Sequence, residues 1–216
     1  MKFFIDTANL DEIKAARDLG VLAGVTTNPT LVAREKRPFT ALIAEICELV
    51  DGPVSAEVTA TTTAEMVDQA KELIKIADNI VVKLPTTTDG LRACVQCRKA
   101  GIRVNMTLIF QPLQALLVAK TGATFCSPFL GRLDDIGQDG MTLLSEIREI
   151  YDNYAFDTEI LAASLRHPLH IIQAAKLGAD IATMPLSTLD KLIRHPLTDS
   201  GLEQFMADWK AAGLSQ

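Results

Sequence analysis

Short apolar runs and amphipathic stretches alternate eight times along this chain, and that alternation restricts the folds open to it more than any other feature. Strand candidates lie at 3–6, 22–26, 54–59, 80–85, 102–108, 123–129, 158–164 and 179–185. Between them, apolar residues recur at helical spacing, as in Met66, Val67, Ala70, Leu73, Ile74 and Ala77. The spacing of Asn9 with Glu12 and of Thr62 with Glu65 predicts capping boxes, and Gly20, Gly101 and Gly122 mark helix ends. Residues 27–30 and 131–135 read as polar connections. Strand–helix alternation means parallel strands joined by helical crossovers. Eight such units over 216 residues average 27 each and most simply close into an α/β single-domain (β/α)8 TIM barrel. An open doubly wound sheet is the alternative, but Asp6-Thr7-Ala8-Asn9 is not the glycine-rich turn that usually follows its first strand.

A further helix, expected from about Ser200 to Ala212, makes 197–216 a C-terminal extension of the one domain spanning 1–216. Leu202, Phe205, Met206 and Trp209 share one side of it, which is expected to pack on the barrel base or on another subunit. The net charge of −6 argues against nucleic acid or an acidic membrane surface as partner. No apolar run is long enough to span a membrane. The start MKFFIDTANLDE turns acidic too early for a signal peptide, and four cysteines without one point to reduced thiols and a cytoplasmic location.

The strand 80–85 carries Lys83 at its C-terminal end, in a run otherwise fit for burial on both faces. A lysine is rare in such a place unless it is paired or used. Burial penalises the charged form of an amine and so makes it a nucleophile for carbonyl carbon. In a barrel the active site sits at the C-terminal ends of the strands. Those ends also carry Asp6, Thr26 with Asn28, Glu57, Asn105 with Thr107, Ser127 and Ser164, so closure would gather them into one mouth. Taken singly, each has an ordinary structural reading as a cap, turn or loop tie. Together, a lysine and two carboxylates fit imine chemistry: the amine attacks a ketone and the acids move protons at neighbouring oxygens. That chemistry needs no metal and no cofactor, because the protonated imine is the electron sink. Arg132 and Arg166, in loops after the sixth and seventh strands, suit the phosphate of an anionic substrate. Cys94-Val95-Gln96-Cys97 has metal or redox spacing but lies within a helical pattern, and no second pair follows. His167 and His170 lack a third ligand and are expected at the surface, whereas Cys47 and Cys126 are expected in the core.

The stretches FIDTAN, GVTTNPTL, VVKLP, NMTLIF, SPFLGRLDD and LAASLR carry a resemblance over essentially the whole chain. The sequence resembles the transaldolase family, in the short subfamily that includes the fructose 6-phosphate aldolases. The resemblance implies a Schiff base between Lys83 and a dihydroxyacetone unit, proton transfer by Asp6, and acid–base work by Glu57 with Thr107 and a water. It implies that Thr26, Asn28, Asn105 and Ser127 position the substrate and that Arg132, Ser164 and Arg166 contact its phosphate. It further implies phosphorylated sugar substrates and a homo-oligomer, a decamer in which the C-terminal helix reaches a neighbour. Where the aldolases of this family have glutamine and tyrosine, this chain has Glu57 and Phe129, which matches the transferase. The expected function is transfer of a dihydroxyacetone unit, with the lyase that releases it free as the alternative. A non-catalytic sugar-phosphate-binding barrel and a thiol-dependent redox protein are more distant rivals.

Overall fold

The structure is a computed structural model that describes residues 1–213. β1 (Lys2–Asp6) leads into α1 (Leu10–Asp18), which Asn9 caps by accepting the N–H groups of Asp11 and Glu12. β2 (Leu22–Thr26) follows, then α2 (Pro29–Glu35) and α3 (Phe39–Leu49). The segment after Thr27, expected as a turn, is thus a helix. Asn28 caps it through the Leu31 N–H, and Pro29 supplies its first residue with a preset φ.

β3 (Val54–Glu57) stops two residues before its expected end. The Thr59 and Ala60 N–H groups bond the Gln69 side-chain oxygen at 2.9 and 3.1 Å and so leave the sheet. Gln69 belongs to α4 (Thr63–Leu73). The capping box predicted there does not form, because the Thr62 hydroxyl bonds the Glu65 carboxylate at 2.7 Å instead of a backbone group.

The chain continues through β4 (Ile80–Pro85), α5 (Thr88–Lys99), β5 (Val104–Ile109), α6 (Pro112–Lys120) and β6 (Phe125–Pro128). α7 (Leu130–Asp134) stands where a loop was expected; burial of Leu130 and Leu133 in the core winds the segment into a turn of helix. Then come α8 (Gly140–Asn153), β7 (Glu159–Ala162), α9 (Pro168–Lys176), β8 (Ile181–Met184) and α10 (Leu186–Ile193). α11 (Pro196–Ala211) begins four residues earlier than predicted, since Pro196 suits a first helical turn and the His195 ring accepts the Leu197 N–H. Residues 214–216 of the predicted extension lie outside the described residues.

All eight strands are parallel and close in sequence order, with β8 pairing β1. Closure divides the side chains by parity. One set, including Ile5, Val25, Ala56, Val82, Leu84, Met106, Ile160 and Met184, faces the helices and forms the main core. Phe4, Val81, Phe125, Leu161 and Ile181 form a separate cluster inside the barrel. Gly24 is required there, because a Cβ would lie 2.5 Å from the Phe4 ring that plugs the barrel. Two residues further along, the inward positions are polar on five strands, Asp6, Thr26, Lys83, Ser127 and Thr183, while Ala163 takes that position just past β7. The site thus rests on an apolar floor.

The exposed side of α11 overturns one of the two packing modes expected for it. No described residue of that helix is buried, and Leu202, Phe205 and Met206 are all more than half exposed, so it does not pack on the barrel base.

Candidate active site

Register places the polar residues side by side on neighbouring strands. Asp6 pairs with Thr26, Glu57 with Lys83, Lys83 with Asn105, and Pro85 with Thr107. Lys83 is only 4% exposed. Its Nζ lies 2.9 Å from the Glu57 carboxylate and donates to the Thr27 carbonyl at 2.9 Å. The Phe129 ring centre stands 6.0 Å from the same nitrogen. An amine so placed has an acid on one side, a fixed carbonyl on another and an apolar wall on a third.

Asp6 lies across the mouth. Its Oδ1 accepts the Thr26 hydroxyl at 2.7 Å, and Thr26 is 2.6 Å from the Thr183 hydroxyl. Since Thr26 spends its proton on Asp6, Thr183 donates in turn to Thr26. Burial raises the Asp6 pKa above the ordinary aspartate range, against the Thr26 hydrogen bond and the charges of Lys83 and Arg132, which lower it. A carboxyl in this position can hold a proton or give one up. On the opposite side Asn105 is clamped at both ends: its amide donates to Ser55 at 3.0 Å and its oxygen accepts the Ser127 hydroxyl at 2.6 Å. The Thr107 hydroxyl is fully buried and has no hydrogen-bond partner among the described residues.

Above these groups a cavity of about 460 Å³, part of it open to solvent, is lined by Asp6, Thr26, Asn28, Lys83, Ser127, Phe129, Arg132, Ser164 and Thr183 among others. The Arg132 guanidinium stacks 4.9 Å above the Phe129 ring, which holds the cation at the rim. A larger open groove between α3 and α4, lined by Phe39, Thr59, Leu73 and Ile76 among others, also reaches Glu57.

The profile of the transaldolase/fructose-6-phosphate aldolase family matches residues 3–215. A protein named probable transaldolase from Desulfosudis oleivorans is 58% identical over 212 residues, covering 98% of this chain and 99% of its own. Probable transaldolases from Desulforapulum autotrophicum and Geobacter sulfurreducens are 59% and 56% identical, over 97% and 98% of this chain and 98% and 99% of theirs. The chain belongs to the transaldolase/fructose-6-phosphate aldolase family. It is therefore an enzyme of the transaldolase/aldolase type.

In this family member the residues singled out in the sequence do not all meet. Asp6, Thr26, Asn28, Lys83, Ser127, Phe129, Arg132 and Ser164 line one cavity. Glu57 reaches it through Lys83, and Asn105 through Ser127. Arg166 does not line it; its guanidinium spans both carboxylate oxygens of Asp135. The Asn28 side chain is already engaged as the α2 cap.

Sequence reasoning missed Thr183, although its place two residues beyond Ile181 on the last strand is the same inward position that Lys83 has beyond Val81. It also misplaced His170, which is buried and bonded to Asp134 instead of lying at the surface. Cys47 and Cys126 are buried in the core as expected. Cys94 and Cys97 are buried there too, and burial pushes the Cys97 thiol up to about 11, so the redox reading loses its thiolate. No helix among the described residues is long and apolar enough to cross a membrane.

Proposed function

We propose that this enzyme is a transaldolase that moves a dihydroxyacetone unit between phosphorylated sugars through a Schiff base on Lys83. The observation that carries the reading is the buried placement of the Lys83 amine, 2.9 Å from Glu57 and in the same mouth as Asp6. With a proton passed to Glu57, the neutral amine attacks C2 of sedoheptulose 7-phosphate or fructose 6-phosphate. Glu57, with Thr107 and a water, returns the proton to the carbinolamine oxygen, which leaves as water. Asp6 takes the C4 hydroxyl proton, the C3–C4 bond breaks, and the aldose phosphate departs. The bonding electrons rest on the iminium as an enamine. An acceptor aldehyde, glyceraldehyde 3-phosphate or erythrose 4-phosphate, then re-forms the bond and hydrolysis frees the amine. Arg132 and Ser164 hold the phosphate, with Arg166 flanking them. Thr26, Asn28, Asn105 and Ser127 position the substrate and the catalytic groups. The pathway served is the pentose phosphate pathway, and the four buried free thiols fit a reducing, cytoplasmic compartment.

Borohydride added with fructose 6-phosphate should fix a three-carbon adduct on Lys83, read by peptide mass spectrometry. An adduct on another lysine, or none, overturns the proposal. Rapid release of free dihydroxyacetone without an acceptor would favour the lyase instead. Phe129 gives a physical reason to expect the transferase, since a phenyl ring beside Lys83 cannot orient a hydrolytic water. Phe129→Tyr should raise acceptor-free release of dihydroxyacetone about a hundredfold, the lower end of what one added acid–base group supplies. An unchanged ratio of release to transfer would remove that explanation.

The uncovered apolar side of α11 supports a homo-oligomer, a decamer by resemblance, in which this helix docks on a second copy. Light scattering should return a mass several times that of one 23.4 kDa chain. A single-chain mass would remove the oligomer from the proposal.

A further inference from the structure

Arg132 and Ser164 come from different loops, one after β6 and one after β7, and what keeps them in register lies outside the cavity. His170, on α9, is 7% exposed, and its two ring nitrogens face different loops. Nε2 lies 2.9 Å from the Asp134 carboxylate, and Nδ1 accepts the Arg166 backbone N–H at 3.4 Å. Asp134 ends α7, the turn that carries Arg132, and its second oxygen accepts the Gly140 N–H at 3.0 Å. A second tie runs beside the first: the Arg166 guanidinium grips Asp135, the next residue along. Between the ties the two backbones touch. Leu130 and Gly131 donate to the carbonyls of Ala163 and Ser164 at 3.0 and 3.2 Å. Gly131 must be glycine here, since a Cβ would lie 2.2 Å from the Ser164 carbonyl oxygen. Ser164 itself has φ +59°, a left-handed conformation that a non-glycine residue keeps only when its surroundings hold it there.

An imidazole joins these loops in one neutral form, with Nε2 donating to Asp134 and Nδ1 accepting from Arg166. Burial, and after it the neighbouring His167, holds His170 below the ordinary histidine range against the pull of Asp134, which favours that form. No atom of His170 lines the cavity.

We propose that His170 is a positioning residue for the substrate's phosphate group: by tying Asp134 to the Arg166 backbone, it sets the spacing between Arg132 and Ser164. This rests on the reading of Arg132 and Ser164 as the phosphate contacts. A shift of about 1 Å in such a pair weakens phosphate binding while the amine and its acids stay in place. His170→Leu fills most of the space and removes both hydrogen bonds. It should raise KM for fructose 6-phosphate about tenfold, leave kcat within about threefold, and weaken competitive inhibition by inorganic phosphate in parallel. His170→Gln, whose amide can still donate toward Asp134, should bring KM back to within about threefold of the parent. A purely structural role would lower the melting temperature of both variants without splitting KM from kcat, and that result overturns the inference. Arg132→Ala separates the two layers. If it leaves phosphate inhibition unchanged, the phosphate reading falls and the inference with it. If it abolishes inhibition while His170→Leu does not alter it, only the positioning role falls. Should His170→Leu not fold, Asp134→Ala removes the acceptor of the Nε2 hydrogen bond and should raise KM by a similar factor with kcat kept; an unchanged KM there overturns the inference.

Discussion

Lys83→Met should abolish transfer, by about a thousandfold or more, and with it the borohydride adduct, because nothing else in the mouth can form an imine. The reason is positional. Among the residues lining the cavity Lys83 is the one amine, and its Nζ sits beside an acid and a carbonyl on a floor of Phe4, Val81 and Leu161. Removing it also leaves the Glu57 carboxylate without its cation, and breaking a buried pair from one side destabilises a fold. Lys83→Arg therefore accompanies it. A guanidinium retains the positive charge next to Glu57 but is not a usable nucleophile, so activity should be equally absent while the melting temperature stays closer to the parent. Residual transfer above about one per cent in the arginine variant, with the fold intact, would mean that the covalent step is elsewhere.

Asp6→Asn should lower kcat about a hundredfold or more, the usual weight of a general acid–base group, without loss of stability at neutral pH. The amide oxygen can still accept the Thr26 hydroxyl, so the chain of bonds through Thr183 survives. The stability effect has a definite sign. Burial raises the folded-state pKa of Asp6 above its unfolded value. The folded state therefore favours the protonated acid, and this preference is fully present below the unfolded pKa. It is lost as pH rises through the raised value, where the folded chain must carry a buried carboxylate. Relative to the asparagine variant, the parent should lose stability across that window and remain offset above it. Melting curves from pH 3 to pH 8 would show this as a gap that widens toward neutrality in favour of Asn. A gap that instead closes as pH rises would mean that Lys83 and Arg132 outweigh burial at this site.

Much of this architecture is legible in local pattern. Each strand is a short apolar run and each helix a stripe at helical spacing, so the number, order and parallel sense of the strands follow from windows of about ten residues. Elements were missed where a short polar segment gained its helix from tertiary burial, as with Leu130 and Leu133 in α7. The reading of Asn28-Pro29 as a turn overlooked that the same pair is a cap and a first helical residue. A strand ends sooner than its apolar pattern predicts where a side chain from a helix takes the backbone donor, as Gln69 does beyond Glu57.

Lys83, Asp6 and Glu57 could be picked out from sequence because a charged residue at the end of an apolar strand breaks the pattern, and parity then places it inside a closed barrel. Thr183 broke no pattern, because a threonine is ordinary in a strand. Tertiary structure alone decided which polar groups are free and which are spent. Arg166 is engaged by Asp135, Asn105 is clamped between Ser55 and Ser127, and His170 joins two loops instead of facing water. These are pairings between segments tens of residues apart, set by how closure brings strand ends together. Hydrophobic periodicity is a property of neighbouring residues and is written along the chain. The partner of a side chain is a property of distance in space, and it exists only once the eighth strand has closed on the first.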